Sequence, residues 1–224
     1  MSQVSGSVTI QKRVPIAAIC IALLAGAFPV SAQLRRSPEA RPESGGFQLR
    51  FLSEVVRIAV ALDSVTVEGT YRLLSRAGEG RLAPILYPYP LDDRMGKART
   101  VSLECRVPGK PWQPLGFREL PGGGGAAWSL PLLADTLEVR TLYRQGLHAD
   151  YARYIVTTTQ SWGRPLERAR FEILLPRGAE AEFFSFPFEP GDCGGRPCFV
   201  YETTGFFPDR DIEVRWRGGT PAGP

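Results

Sequence analysis

The run Tyr87-Pro88-Tyr89-Pro90-Leu91-Asp92-Asp93 ends in two adjacent carboxylates, a residue type that performs acid–base work or holds a cation. Asp92 and Asp93 could share such a task with Asp209 and Asp211, and Glu119 adds a further acid close to aromatic residues. Glycoside hydrolysis needs two carboxyls about 5 to 10 Å apart across a groove. Neighbouring residues on an extended chain point apart, however, and no calcium-loop spacing is present. Asp92-Asp93 is therefore read as the start of a turn.

The other reactive types are sparse. His148 is the single histidine, in Gly146-Leu147-His148-Ala149-Asp150, and no G-x-S-x-G elbow accompanies it. A hairpin loop is the expectation there. Thr157-Thr158-Thr159 has neither a free terminal amine nor an adjacent base, so a threonine nucleophile has no activator. Gly122 to Gly125 is followed by Ala-Ala-Trp-Ser-Leu-Pro, which offers neither a Lys nor a helix start to cradle phosphate. No catalytic set is complete, and no cofactor or metal is expected.

Cysteine usage is more informative. Cys193 and Cys198 flank Gly-Gly-Arg-Pro, which permits a tight reversal and makes these two the natural disulfide. A zinc site would need further ligands, and Cys105 and His148 are remote in sequence. A redox pair prefers two intervening residues. A structural clip is the reading adopted.

The elements that must carry these residues begin after an apolar leader. Lys12 and Arg13 precede an uncharged run from Val14 to Val30, and Val30-Ser31-Ala32 has the small residues of a cleavage site. Residues 1–32 are read as a signal peptide, the rival being an uncleaved N-terminal anchor, which is the only membrane attachment expected. Either way the remainder lies outside the cytoplasm, periplasmic or secreted. Losing Lys12 and Arg13 takes the formal charge from +4 to +2, too weak and too scattered for a nucleic-acid partner. Residues 33–50 read as a flexible leader, 51–217 as the domain and 218–224 as a frayed tail.

Within the domain the dominant signal is alternation. Val56, Ile58, Val60 and Leu62 share one parity; Val65, Val67, Tyr71 and Leu73 share the next. The same holds for Val101, Leu103, Cys105 and Val107, for Leu137, Val139 and Tyr143, and for Ala169, Phe171, Ile173 and Leu175. Phe184, Phe186 and Phe188, then Phe199 and Tyr201, then Ile212, Val214 and Trp216 complete the set. Short strands with one dry face and Gly/Pro turns predict an all-β fold, an antiparallel β-sandwich that is Ig-like by pattern, with an open β-barrel as the alternative. Long loops are expected at 74–81, 91–99 and 110–127. The strand ending in Thr157-Thr158-Thr159 should turn around Ser161-Trp162-Gly163, and the two prolines of Tyr87–Pro90 should place that run at a sheet edge or in a crossing between two sheets.

The segments VEGTYRLL, YPYPLDD, LEVRTLYRQ, YIVTTTQSWGRPLERARFEI and DIEVRW together resemble exported bacterial β-sandwich domains of unknown function. In those, a Tyr-rich strand ending in Thr precedes a Trp-x-x-Pro corner, matched here by Trp162-Gly163-Arg164-Pro165. The likeness spans about Phe51 to Trp216. It implies envelope or extracellular residence and a non-catalytic domain, and it brings no site residues with it. Cys193 and Cys198 have no counterpart in that pattern.

The function expected is an interaction or assembly module of the bacterial cell envelope, binding an envelope protein or a glycan. Its contact surface would be drawn from Tyr87, Tyr89, Trp112, Trp128, Trp162, Phe206 and Phe207. The competing readings are a carbohydrate-active enzyme built on the acids named above, and a glycan-binding module without hydrolysis.

Overall fold

Val56, Ile58 and Val60 are buried along strand β1 (Leu49–Val60), and Val65, Val67, Tyr71 and Leu73 along β2 (Ser64–Ser75), as alternation demands. The computed structural model describes residues 49–75, 80–193 and 196–220, so the expected signal peptide and residues 33–48 lie outside it. The chain continues through β3 (Arg81–Pro88), β4 (Met95–Arg106), β5 (Gln113–Pro114), β6 (Phe117–Glu119), β7 (Gly125–Leu132), β8 (Thr136–Leu147) and β9 (Tyr151–Tyr154). It finishes with β10 (Leu166–Leu174), β11 (Arg177–Phe184), β12 (Glu189–Asp192), β13 (Pro197–Phe206) and β14 (Ile212–Thr220).

The fold is all-β. Eight strands form one sheet in the order β12-β13-β10-β1-β2-β8-β4-β5, and two smaller sheets run β11-β14-β9 and β3-β7-β6. None closes into a barrel. Both small sheets lie over the same face of the large one: the Tyr87 ring stands 6.2 Å from Tyr143 of β8, and Tyr154 of β9 stands 6.4 Å from Phe171 of β10. Pairing is antiparallel except that β1 and β10 run parallel, Val56 opposite Phe171. A parallel neighbour needs a long crossover. Here the chain builds β2 to β9 before it returns to the free side of β1.

The outer face of the large sheet is charged. The β4–β8 register sets Glu104 opposite Arg140 and Arg106 opposite Glu138, and both pairs close to 2.6 Å. Such partly exposed pairs stabilise by about 0.2–1 kcal/mol each. The ring of Trp112 lies against both guanidiniums, at 4.2 and 4.7 Å.

Several expectations are corrected. Leu49 and Arg50 pair with Ser75 and Leu74, and Gly218 and Thr220 pair with Ala179 and Arg177, so strand extends past both expected domain limits. Val101 is exposed rather than inward, because a register shift between Thr100 and Ser102 swaps parity within β4. Leu62 lies beyond the end of β1 and is exposed. Strand β11 stops at Phe184, and Pro187, with no N–H to give a ladder, carries the chain into a turn where Phe188 N–H bonds back to Phe186 O at 2.8 Å. Phe186 and Phe188 then pack on Tyr201, 5.3 and 5.7 Å away. The region 110–127, expected as loop, contains β5 and β6. The prediction for Tyr87–Pro90 agrees: β3 is an edge strand, and β7 occupies the middle of its sheet.

Candidate functional site

A local irregularity in β1 creates the site. The pairing of β1 with β2 slips between Phe51 and Ser53, so two successive inward residues are Phe51 and Glu54 rather than Phe51 and Ser53. Glu54 therefore enters the core in phase with Val56, Ile58 and Val60, and is 2% exposed. A bulge commonly re-aims a side chain in this way. The carboxyl meets no cation among the described residues, its Oε1 has no hydrogen-bond partner, and burial pushes its pKa from the usual 4.5 up to about 8.

The cavity that Glu54 faces lies at the seam where the two small sheets approach each other over the large one. Its free volume is about 50 Å³. The large sheet supplies Phe51, Glu54, Tyr71, Leu73 and Val139; β3 and β7 supply Tyr87 and Trp128; Tyr154, Thr159 and Trp162 close the opposite wall. Half-buried Ile85, Pro88, Ile155, Thr158 and Trp162 form its rim.

Two sets of interactions shape this space. The first is a row of rings, Trp162–Phe51–Tyr71–Tyr87–Trp128, whose successive centroids are 5.7, 5.8, 5.9 and 6.0 Å apart. The second is a phenol cluster. The Tyr71 hydroxyl contacts those of Tyr87 at 2.7 Å and Tyr154 at 3.0 Å, with Thr141 Oγ1 at 3.4 Å. Desolvation holds all three phenols well above their ordinary range, so they stay neutral and act as hydrogen-bonding groups. Gly69 makes this geometry accessible: a Cβ there would lie 1.9 Å from the Tyr71 hydroxyl.

The Trp162 wall is held by a 3₁₀ turn, Thr157–Trp162, where a strand end was expected. Thr favours strands only weakly, and here tertiary contacts decide. Asp211 Oδ1 accepts the N–H groups of Val156 and Thr157 at 3.2 Å each and the Thr157 hydroxyl at 2.8 Å. The Thr159 and Ser161 hydroxyls donate back to the Val156 and Thr158 carbonyls. Gly163 then reverses the chain at φ 67°, which places the turn of the Trp-Gly-Arg-Pro corner where the sequence predicts it.

The expected contact residues separate into three groups. Tyr87, Tyr89, Trp128 and Phe206 are buried, so they offer no free surface; Tyr87 and Trp128 instead line the cavity. Trp112 and Trp162 are half-buried, the first on the outer charged face and the second at the cavity rim. Only Phe207 is exposed, at 49%. The neighbouring Pro88 and Pro90 disguised Tyr87 and Tyr89 as surface positions.

The acids do not converge. Asp92 accepts the N–H groups of Arg94 and Met95 in a turn, Glu119 accepts from Thr100 N, Asp209 pairs with neighbouring Arg210, and Asp211 caps the 3₁₀ turn. Asp93 is exposed. His148 is exposed just beyond β8, its N–H donating to Arg94 O. Among the described residues no three His, Cys, Asp or Glu side chains are grouped to hold a metal ion. The Cys193–Cys198 disulfide is formed and clips the β12–β13 hairpin, where Gly191 faces Cys198; Cys105 is free and buried. A disulfide belongs to an oxidising environment outside the cytoplasm. Among the described residues no helix is long and apolar enough to cross a membrane.

No protein-family model and no curated protein matches the sequence, in keeping with its resemblance to domains of unknown function. Solved structures resemble it at low identity. A proposed nutrient binding protein from Legionella pneumophila superposes with a TM-score of 0.53 at 13% identity, over 75% of this chain and 66% of that one. An M1 zinc metallopeptidase from Deinococcus radiodurans gives 0.47 at 11%, over 75% and 42%, and yeast LTA4 hydrolase gives 0.47 at 10%, over 82% and 31%. The chain thus spans less than two thirds of the length of each. The Legionella likeness extends to the fold alone.

Glu54 is what sequence reasoning misses. It shares parity with Val56, Ile58 and Val60, so a carboxylate in phase with a buried run was the available signal. Gly69 inside the strand VEGTYRLL was a second one, since an interior glycine often marks a close approach.

Proposed function

We propose that the chain is an exported, non-catalytic β-sandwich that serves as a binding module of the bacterial cell envelope, with its ligand site in the cavity over Glu54. One observation carries this reading: a buried carboxyl whose Oε1 lacks a partner faces a solvent-reachable cavity. An orphaned buried acceptor costs roughly 1–3 kcal/mol, and a ligand that supplies a donor recovers it. Aromatic walls with few polar groups are the usual make-up of a small-molecule pocket.

The setting supports the same reading. The apolar leader and cleavage-type Val30-Ser31-Ala32 fit export, and the disulfide fits a periplasmic or extracellular destination. The similarly folded Legionella protein is described as nutrient binding, and a binding role carries over to this chain as part of the proposal. The cavity contains a single carboxyl; of the carboxylates considered for glycoside hydrolysis, Asp92, Glu119, Asp209 and Asp211 are engaged elsewhere and Asp93 faces solvent. This favours binding over hydrolysis.

Native mass spectrometry of the full chain purified from its own envelope tests the proposal. The expected result is an added small-molecule mass that disappears in Trp162→Ala. Ligand-free protein, together with a thermal-shift library giving no hit sensitive to Trp162→Ala, overturns it.

A further inference from the structure

The cavity has a chemical bias that narrows its ligand. No Lys, Arg or His lines it, and Glu54 is its one group able to carry a charge near neutral pH. Six aromatic side chains line the cavity with it: Phe51, Tyr71, Tyr87, Trp128, Tyr154 and Trp162. Ring faces attract cations and repel anions, and the attraction grows when water is excluded. An anion would meet an acid with no counter-charge. A neutral apolar molecule would fit the walls and leave Oε1 unpartnered.

We propose that this cavity is a cage for a small organic cation, an alkylammonium group whose charge sits against Glu54 and whose carbons contact the rings. This rests on the cavity being the ligand site and adds the ligand class. The free volume, about 50 Å³, suits a compact head group with any tail leaving past Pro88 and Trp162 at the rim. Capture of the cation ionises Glu54, and the proton passes to solvent. The titratable groups facing the carboxyl from neighbouring strands are the phenols of Tyr71 on β2 and Tyr154 on β9, both held neutral by burial.

Calorimetric titration of the full chain with choline, tetramethylammonium and methylammonium tests the inference, with the neutral carbon isostere of choline, a dimethylbutanol, and acetate as comparators. A permanently charged probe such as tetramethylammonium does not itself titrate, so any pH dependence reports the protein. The cations should bind saturably and at least tenfold more tightly than the isostere, and acetate should not bind. Tetramethylammonium affinity should rise about tenfold per pH unit until Glu54 ionises in the free protein, near pH 8, and then level.

Glu54→Gln, which keeps the side-chain shape, should weaken the cations at least tenfold and leave the isostere unchanged. Trp162→Leu at the rim should weaken the cations with the Glu54 carboxyl intact, and it serves if Glu54→Gln does not fold. Equal affinity for choline and its isostere, unchanged cation binding in these variants, or no cation binding at millimolar concentration each overturns the inference. Binding of the isostere alone leaves the cavity a ligand site and removes only its charge preference. If no probe binds, the cage is wrong, and the mass-spectrometric experiment still decides the wider binding reading.

Discussion

Glu54 and Tyr71 face each other across the β1–β2 ladder, yet they differ in polar satisfaction. The Tyr71 hydroxyl reaches two phenols and a threonine, while Glu54 Oε1 reaches nothing. The contrast sets one polar group that holds the core together beside one that strains it.

Glu54 should make stability fall with rising pH. Its folded pKa, about 8, lies above the ordinary 4.5, so its contribution is fully present below pH 4.5, where both states are protonated. Between 4.5 and 8 the unfolded chain ionises first and stability drops; above about 8 the loss is complete. The total is on the order of 5 kcal/mol at most. Urea unfolding from pH 5 to 9 should show a declining curve for the parent and a flatter one for Glu54→Gln, which becomes the more stable protein at pH 8. Parallel curves refute the assignment.

Tyr71→Phe removes the centre of the phenol cluster, leaving the 3.4 Å contact between Tyr87 and Tyr154 and the Tyr87 bond with Thr141. A loss of about 1–3 kcal/mol is expected, because buried hydroxyls lose a partner. A double-mutant cycle with Tyr154→Phe should give a coupling of the same sign; strict additivity would count against a cooperative cluster.

Gly69→Ala should disturb the cluster without altering any polar group. The new Cβ would overlap the Tyr71 ring, which must rotate away from Tyr87 and Tyr154. We expect a loss of about 1–3 kcal/mol from overpacking and a changed near-ultraviolet tyrosine signal. Full stability with an unchanged signal would show that the strand absorbs the methyl group.

Asp211→Ala should loosen the Trp162 wall. Three hydrogen bonds to Val156 and Thr157 disappear together. Amide exchange at those two residues should accelerate at least tenfold, with the β1–β2 ladder unaffected. Uniform acceleration across the domain would indicate global destabilisation instead.

Opening the Cys193–Cys198 bond should cost about 2 kcal/mol, since it closes a short loop. The melting temperature should drop by a few degrees on reduction, and a Cys193→Ser, Cys198→Ser double variant should melt at that lower temperature in either condition.

Much of the architecture was legible because alternation reports burial directly. Val65, Val67 and Leu73 read as inward and are inward. Strand parity fails where the ladder slips, at Leu52 and at Val101, since a slip is a property of two strands and not of one. Of the adjacent carboxylates, Asp92 serves a turn and Asp93 faces solvent. The carboxylate that lines the cavity, Glu54, precedes two valines in β1. The aromatic residues Tyr87 and Trp128 read as contact-surface candidates, but their burial depends on β2, β8 and β9 arriving from elsewhere in the chain.

By itself the sequence determined an all-β chain, a clipped hairpin and the placement of most strands, because side-chain period and local turn chemistry are encoded within a few residues. Tertiary structure alone decided that two small sheets would meet above Glu54, that Thr157–Trp162 would coil under Asp211, and that scattered tyrosines would touch. Those outcomes depend on contacts between segments tens of residues apart, and the free energy of burying a polar group is set by whichever neighbours the fold delivers to it.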